Sequence, residues 1–74
     1  MAQRSRLADL LREVRLEADL TQVELAAHIK KDQAYVSKYE SGQRRLDVLE
    51  IREICQAIGI TLGEFVKRLE KVLK

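Results

Sequence analysis

The chain has 74 residues and no Pro, and 46% of its residues are apolar while only 4% are aromatic, which predicts one domain over residues 1–74 with an aliphatic, helical core. The single Cys excludes an internal disulfide and a Cys-based metal site. No apolar run approaches the roughly 18 residues of a membrane span, and the early acidic residues exclude a signal peptide. We therefore expect a cytoplasmic protein. The net charge is only +2, but residues 30–45 carry five Lys and Arg against two acidic side chains, a local excess typical of a surface that binds nucleic acid.

The first two helices are predicted by apolar spacing and by one capping motif. A first helix, with Ser5 as its candidate N-cap, carries apolar residues at steps of three and four: Leu7, Leu10, Leu11, Val14 and Ala18. Residues 21–24 read Thr-Gln-Val-Glu, a capping box in which the Thr hydroxyl accepts from the Glu N–H and the Glu side chain accepts from the Thr N–H. A second helix therefore begins at Thr21, and its inner face consists of Leu25, Ala26 and Ile29.

The third helix is predicted to begin at Asp32, a favoured N-cap residue, and to run to about Ser41 before Gly42 ends it. Only a tight turn fits between Ile29 and Asp32, so the second and third helices cross steeply and the third can project from the domain. Its outward residues are polar or small: Gln33, Ala34, Ser37 and Lys38. In the major groove of DNA, Gln can pair with adenine, Lys with guanine, and Ala can contact a thymine methyl. The same residues would also suit an ordinary solvated helix face.

Two further helices complete an all-α chain of five. The sequence Asp-Val-Leu-Glu at residues 47–50 predicts the start of a fourth helix, which Gly59 ends. Residues 61–64, Thr-Leu-Gly-Glu, form a third capping motif and begin a fifth helix, whose apolar residues are Leu62, Phe65, Val66, Leu69, Val72 and Leu73. Each capping motif is in register with an apolar stripe, so the five-helix prediction is consistent at several levels.

Three segments resemble one known family. Residues 21–26 (Thr-Gln-Val-Glu-Leu-Ala), 36–42 (Val-Ser-Lys-Tyr-Glu-Ser-Gly) and 57–62 (Ala-Ile-Gly-Ile-Thr-Leu) resemble the Cro/cI-type repressors, also called the xenobiotic response element (XRE) family. The likeness extends from about Leu7 to Phe65. It implies a compact five-helix bundle of the lambda-repressor-like DNA-binding type, in which the second and third helices form the helix-turn-helix.

Two positions depart from the family's usual pattern. Lys30 stands in the turn between the second and third helices, where the family usually has Gly, and a non-Gly residue with positive φ costs on the order of 1 kcal/mol. Leu46 follows the basic loop, residues 42–45, at a position where the family often has Pro. The first change predicts a slightly altered turn, and neither changes the expected fold.

The resemblance also implies roles for individual residues. Base edges would be contacted by the outward residues of the third helix: Gln33, Ala34, Ser37 and Lys38. The DNA backbone would be contacted by a second group, in which Gln22 also braces Gln33 and the loop contributes both Arg side chains and backbone N–H groups. This second group is Gln22, Tyr35, Gly42, Gln43, Arg44 and Arg45. A structural ion pair would join Arg15 to Glu40.

These features predict a sequence-specific regulator of transcription that binds double-stranded DNA. Its simplest form is a repressor that binds a pseudo-palindromic operator as a homodimer through the helix 32–41. An antitoxin-like interaction protein, which binds a partner protein as well as its own promoter, is the alternative. No enzyme, metal or cofactor is expected, because no phosphate loop, nucleophile–base pair or ligand cluster occurs. The lone His28 suits a solvated position and Cys55 suits the core.

The last part of the fifth helix predicts a dimer interface. Leu62 and Phe65 would close the domain's own core, and three aliphatic residues would then lie beyond the expected body: Leu69, Val72 and Leu73. A two-fold dimer through them would set two recognition helices roughly 34 Å apart, the spacing of successive major grooves. The alternative is that these residues fold back on the first helix, against Leu7 and Leu11.

Overall fold

The computed structural model describes residues 2–74 and contains five α-helices joined by short turns, with no strand in that range. In chain order the helices are α1 (Ala2–Glu17), α2 (Gln22–His28), α3 (Gln33–Glu40), α4 (Val48–Ile58) and α5 (Leu62–Leu73). The predicted all-α, five-helix architecture is confirmed. None of the helices within residues 2–74 has the length and apolar character needed to span a bilayer. The prediction that Ser5 caps α1 is wrong, because helical backbone already begins at Ala2.

The helix starts are fixed by side-chain caps. Three of the starts are capping boxes, with Thr21, Asp47 and Thr61 as the cap residues. The cap side-chain oxygen accepts from the N–H of the Glu three residues later at 2.8–3.1 Å. The side chain of that Glu accepts from the backbone N–H of the cap residue at 2.8–2.9 Å. The bonds from the two Thr residues hold the pKa of their Glu partners below the ordinary value. Asp32 caps α3 in the same way, with its carboxylate as acceptor. Each cap satisfies donors that a helix start leaves unpaired, so the predicted starts of α2 to α5 are confirmed.

Positive φ angles mark the turns between helices. Gly42 and Gly59 follow α3 and α4 with φ of 81° and 87°, a conformation that Gly adopts without steric strain, and both predicted helix ends are confirmed. Lys30 has φ of 59° in the α2–α3 turn, so the non-Gly residue does occupy the left-handed region there. Asp19 also lies in the left-handed region, with φ of 62° in the α1–α2 turn.

The core is aliphatic and draws on all five helices. Its ten clustered residues are each no more than 3% exposed: Leu10, Leu11, Val14, Leu25, Ala26, Val36, Tyr39, Ile54, Cys55 and Phe65. Cys55 is fully buried, and burial raises the pKa of its thiol, so it is a packed core residue as predicted. The small Ala26 also lies in this cluster, on the helix that precedes the turn into α3. The core therefore anchors one side of α3 and leaves its other side to solvent.

The fifth helix folds back along α1. The three residues predicted to lie beyond the domain body are half-buried: Leu69, Val72 and Leu73. The first two pack against the core, and Arg68 of the same helix bonds Glu17 at 2.7 Å and Glu13 at 3.3 Å on α1. The expectation that this stripe projects from the body is wrong, because aliphatic side chains gain more by covering α1 than by facing water. Their part in a dimer stays a prediction.

A buried ion pair ties α1 to the end of α3. The Arg15 Nε donates to Glu40 Oε2 at 2.7 Å and its Nη2 donates to Glu40 Oε1 at 3.1 Å, a bidentate arrangement. The third guanidinium nitrogen donates to the Leu20 carbonyl at 2.8 Å. The hydrogen bond to Glu40 raises the pKa of Arg15. Because the two side chains are only 7% and 3% exposed, each charge relies on the other instead of on water.

Replacing Arg15 with Ala should destabilise the domain by about 3–5 kcal/mol, because Glu40 would keep its charge in a buried place without a partner. Arg68→Ala is the matched control, since Arg68 pairs with carboxylates that are more than half exposed and should lose at most about 1 kcal/mol. Urea unfolding measures both losses, and a double-mutant cycle with Glu40→Ala isolates the coupling. Equal losses for the two Arg variants would contradict this assignment.

Candidate nucleic-acid interface

One face of α3 is polar and open to solvent, because Val36 and Tyr39 fix its other face in the core. The open face consists of the four residues predicted to contact base edges, of which Ser37 is half-buried and the others are exposed: Gln33, Ala34, Ser37 and Lys38. Together they offer an amide, a methyl, a hydroxyl and an ammonium group. Such a set can address the distinct edges that base pairs present in the major groove.

A chain of amide hydrogen bonds connects this face to the buried ion pair. Glu40 Oε1 accepts from Gln22 Nε2 at 3.1 Å, and Gln22 Oε1 accepts from Gln33 Nε2 at 2.7 Å. A carboxylate can only accept, so Glu40 determines which end of the Gln22 amide is turned toward Gln33. Gln33 uses one amide hydrogen in this chain and keeps its carbonyl and its second N–H. Those two groups are the ones that a bidentate contact with adenine requires.

Tyr35 holds the basic loop beside α3 and α4. The Arg44 guanidinium lies 4.7 Å from the centre of the Tyr35 ring, and the Lys31 ammonium lies 5.3 Å from it. The Tyr35 hydroxyl donates to Glu50 Oε2 at 3.3 Å, and the same oxygen accepts from Arg44 Nη2 at 2.8 Å. Burial raises the pKa of Tyr35, so its hydroxyl stays a neutral donor. Arg44 is thus held by an aromatic face and a carboxylate together.

The loop after α3 presents two cations in different states. Arg44 pairs with Glu50, whereas Arg45 is exposed and has no ion-pair partner in the part of the chain that the structure describes. Three backbone N–H groups of the loop donate to carbonyls at the end of α3 at 2.9–3.2 Å: those of Gly42, Gln43 and Arg44. The phosphate contacts expected from these N–H groups are therefore not available, because the groups already satisfy α3. The Arg45 N–H is not among these three, so the loop keeps that group and its side chains for contacts.

Two of the side chains that surround Tyr35 are not identified as site residues by the sequence pattern. Glu50 is predicted only as a helix cap, and Lys31 only as one charge of the basic stretch. The capping box does contain a signal, since it places a carboxylate at the start of α4, close to the loop. However, the six-residue separation between Arg44 and Glu50 is not a helical spacing, so the pair cannot be inferred from periodicity.

Two adjacent apolar side chains are exposed beside the basic loop. Val48 and Leu49, at the start of α4, are 58% and 68% exposed. Single exposed aliphatic residues are ordinary on protein surfaces, but an adjacent pair next to the loop suits contact with another surface. We refer to these two residues as the apolar pair. Within residues 5–74, no three His, Cys, Asp or Glu side chains are grouped to hold a metal ion, and His28 is exposed.

A family model described as helix-turn-helix matches residues 11–65, which is more than half of the chain. The chain belongs to this helix-turn-helix family. The control protein C.MunI from Mycoplasma sp is 36% identical to it over 67 residues, which cover 89% of this chain and 90% of that protein. An XRE-family like protein from Pseudomonas syringae pv. tomato str. DC3000 is 41% identical, with a TM-score of 0.87 over 99% of this chain and 89% of the other.

The restriction-modification controller protein C.Esp1396I is 27% identical, with a TM-score of 0.89 over 100% of this chain and 99% of the controller. The structural likeness covers all five helices, and the family model covers the helix-turn-helix of α2 and α3. The family is one of DNA-binding regulators of transcription. The resemblance stated from residues 21–26, 36–42 and 57–62 is thereby confirmed.

Freeing Arg44 should strengthen DNA binding. Glu50→Gln removes the carboxylate that holds Arg44 but keeps the side-chain oxygen that caps α4, so helix stability should change little. Glu53→Gln is the matched control, because it removes the same charge from an exposed position of the same helix. Fluorescence anisotropy with random duplex DNA measures the affinities. Equal gains for the two variants would show that net charge alone is responsible and would contradict a role for the pair.

Proposed function

We propose that this protein is a sequence-specific repressor that binds a pseudo-palindromic operator in double-stranded DNA, with α3 in the major groove. The observation that carries the proposal is the braced amide of Gln33, which keeps a donor and an acceptor on an exposed helix face. Lys38 adds a cation suited to guanine, and Ala34 adds a methyl group suited to thymine. The likeness to proteins named as control and controller proteins supports a regulatory role. We propose that it acts by binding, in the cytoplasm, and not by catalysis.

Side chains on the flanks of α3 would contact the DNA backbone in this proposal. Gln22 keeps one amide hydrogen for a phosphate after its two bonds are made. Arg45 supplies a cation that has no ion-pair partner among residues 5–74, and Gln43 is an exposed amide beside it. Tyr35 contributes by holding Arg44 in position. Such contacts set the register of the protein on DNA and carry no sequence information themselves.

Gln33→Ala tests base recognition. The change should cost about 1–3 kcal/mol on an operator selected from random duplexes and relax the preference at one base position in each half-site. Gln56→Ala is the control, because Gln56 is an exposed amide on α4. Quantitative footprinting on operator and random DNA separates the two outcomes. An equal loss on both DNAs would assign Gln33 to a phosphate and remove the main support for the proposal.

We further propose that two copies bind one operator as a homodimer through the apolar pair. C.Esp1396I, which is similar over the whole chain, has been solved as a tetramer in complex with its natural 35 base-pair operator, which supports an oligomer on DNA. The stripe predicted from the sequence, Leu69 and Val72 above all, already packs on the domain's own core and offers a partner less apolar area. A two-fold axis beside the loop would direct Arg45 of both copies toward one stretch of DNA.

Leu49→Glu should therefore convert the dimer into a folded monomer and weaken operator binding, while binding to a single half-site persists. Leu16→Glu makes the same exchange at an aliphatic side chain of α1 that is 51% exposed, and should leave the dimer intact. Sedimentation at micromolar concentration measures both variants. A Leu49→Glu protein that remains dimeric would exclude the apolar pair as the interface. The end of α5 would then be the interface to test.

A further inference from the structure

The Glu40 carboxylate is buried and is nevertheless connected to the recognition face. Its side chain is 3% exposed, and both of its oxygens accept from the Arg15 guanidinium, Oε2 from Nε at 2.7 Å and Oε1 from Nη2 at 3.1 Å. Oε1 also accepts from Gln22 Nε2 at 3.1 Å. Because a carboxylate has no donor, only the nitrogen end of the Gln22 amide is stable against it. The direction of the Gln22 amide is therefore set from the interior.

This direction is passed on to the exposed Gln33 amide. The Gln22 oxygen lies 2.7 Å from Gln33 Nε2, and an amide oxygen can only accept, so Gln33 must use one N–H for this bond. Gln33 then keeps one N–H and its carbonyl, which are a donor and an acceptor. In the opposite direction the Gln33 oxygen would accept from Gln22, and both of its amide hydrogens would be free. The interior thus decides between two different sets of groups on one exposed side chain.

The two sets suit different bases. In the major groove, adenine presents the N7 acceptor beside the N6 amino donor, whereas guanine presents two acceptors, N7 and O6. A donor with an acceptor pairs with adenine and places the Gln33 oxygen against guanine O6, where the two oxygens repel each other. Two donors pair with guanine and leave the adenine amino group unpaired. A good bidentate pair discriminates against the wrong base by about 5- to 150-fold.

We propose that Glu40 is a specificity-determining residue, a positioning side chain that makes Gln33 select adenine over guanine without contacting DNA itself. The inference rests on the proposed function, since it takes α3 to lie in the major groove. Arg15 offers only donors and Glu40 offers only acceptors, so the chain of bonds has a single direction. A merely structural ion pair would affect stability and would leave the preferred base unchanged.

Glu40→Gln should reverse the chain of bonds. Arg15 still offers only donors, so the introduced amide keeps its oxygen at the 2.7 Å bond to Nε and places its nitrogen where Oε1 lay. Gln22 then turns its oxygen inward and its nitrogen toward Gln33, whose oxygen accepts. We expect the ratio of adenine to guanine affinity to fall at least about tenfold, toward guanine.

Gln22→Lys should produce the same shift while leaving the buried ion pair intact. An ammonium group has donors and no acceptor, so it can bond Glu40 and Gln33 together only if the Gln33 oxygen accepts. Glu53→Gln is the matched control for Glu40→Gln, because it removes the same charge from an exposed position on α4 and should keep the adenine preference. Adding Gln33→Ala to Glu40→Gln should abolish the shift.

Competition anisotropy measures the preference with two operators that differ only in A·T or G·C at the position whose selectivity is lost in Gln33→Ala. An unchanged adenine preference in folded Glu40→Gln would overturn the inference and leave the proposed function standing. So would an equal loss of affinity on both operators, since that is the result of a structural role alone. Should Glu40→Gln fail to fold by circular dichroism, Gln22→Lys decides between the same outcomes.

The direction of the bonds can also be read without DNA. NMR couplings across the hydrogen bond in the free protein should connect Gln33 Nε2 to the Gln22 carbonyl carbon, and in Glu40→Gln they should connect Gln22 Nε2 to the Gln33 carbonyl carbon. Absence of the first coupling, or the same direction in both proteins, would overturn the inference whatever the protein does with DNA. A reversal of direction in a protein that selects no operator would support the positioning by Glu40 and contradict the proposed function.

Discussion

The buried pair of Arg15 and Glu40 is the interaction on which the recognition surface depends. Both side chains are almost inaccessible to water, so neither can turn away without leaving a charge unsolvated. Glu40 also fixes the orientation of side chains nearer the surface. Its Oε1 accepts from the Gln22 amide and orients it, and the Gln22 carbonyl in turn orients the Gln33 amide. An exposed amide is ordinarily free to rotate, and here its orientation follows from a charge in the interior. The core of the domain thereby determines what the surface can donate and accept.

The basic stretch that gives the chain its positive charge is divided between structure and recognition. Arg44 and Lys31 lie against the Tyr35 ring, and Arg44 also pairs with Glu50, so these charges position the loop. Arg45 and Lys38 are exposed and have no such ion pairs in the described chain. The backbone N–H groups of Gly42, Gln43 and Arg44 are used by α3 as well. Recognition then falls mainly to side chains, whose identity can vary without disturbing the helix end.

Whether a feature could be predicted from the sequence depends on how far apart in the chain its interacting residues lie. The caps at Thr21 and Thr61 and the helix end at Gly59 depend on residues within a few positions, and their patterns are legible locally. The Arg15–Glu40 pair joins residues 25 apart, so it came only from the family resemblance. An aliphatic stripe shows that a surface is covered but not what covers it. The stripe of α5 therefore predicts a projecting end, whereas α5 folds on α1.

The core and the recognition face share α3, a helix of only eight residues. Tyr39 packs in the core, and its neighbour Glu40 begins the amide chain that reaches Gln33. Asp32 caps the start of the same helix and Arg15 binds Glu40 at its end, so side chains of the domain hold both ends. In a larger protein a recognition helix could be carried on a separate element. In this five-helix bundle the residue that packs in the core lies one position from the charge that orients the exposed amide.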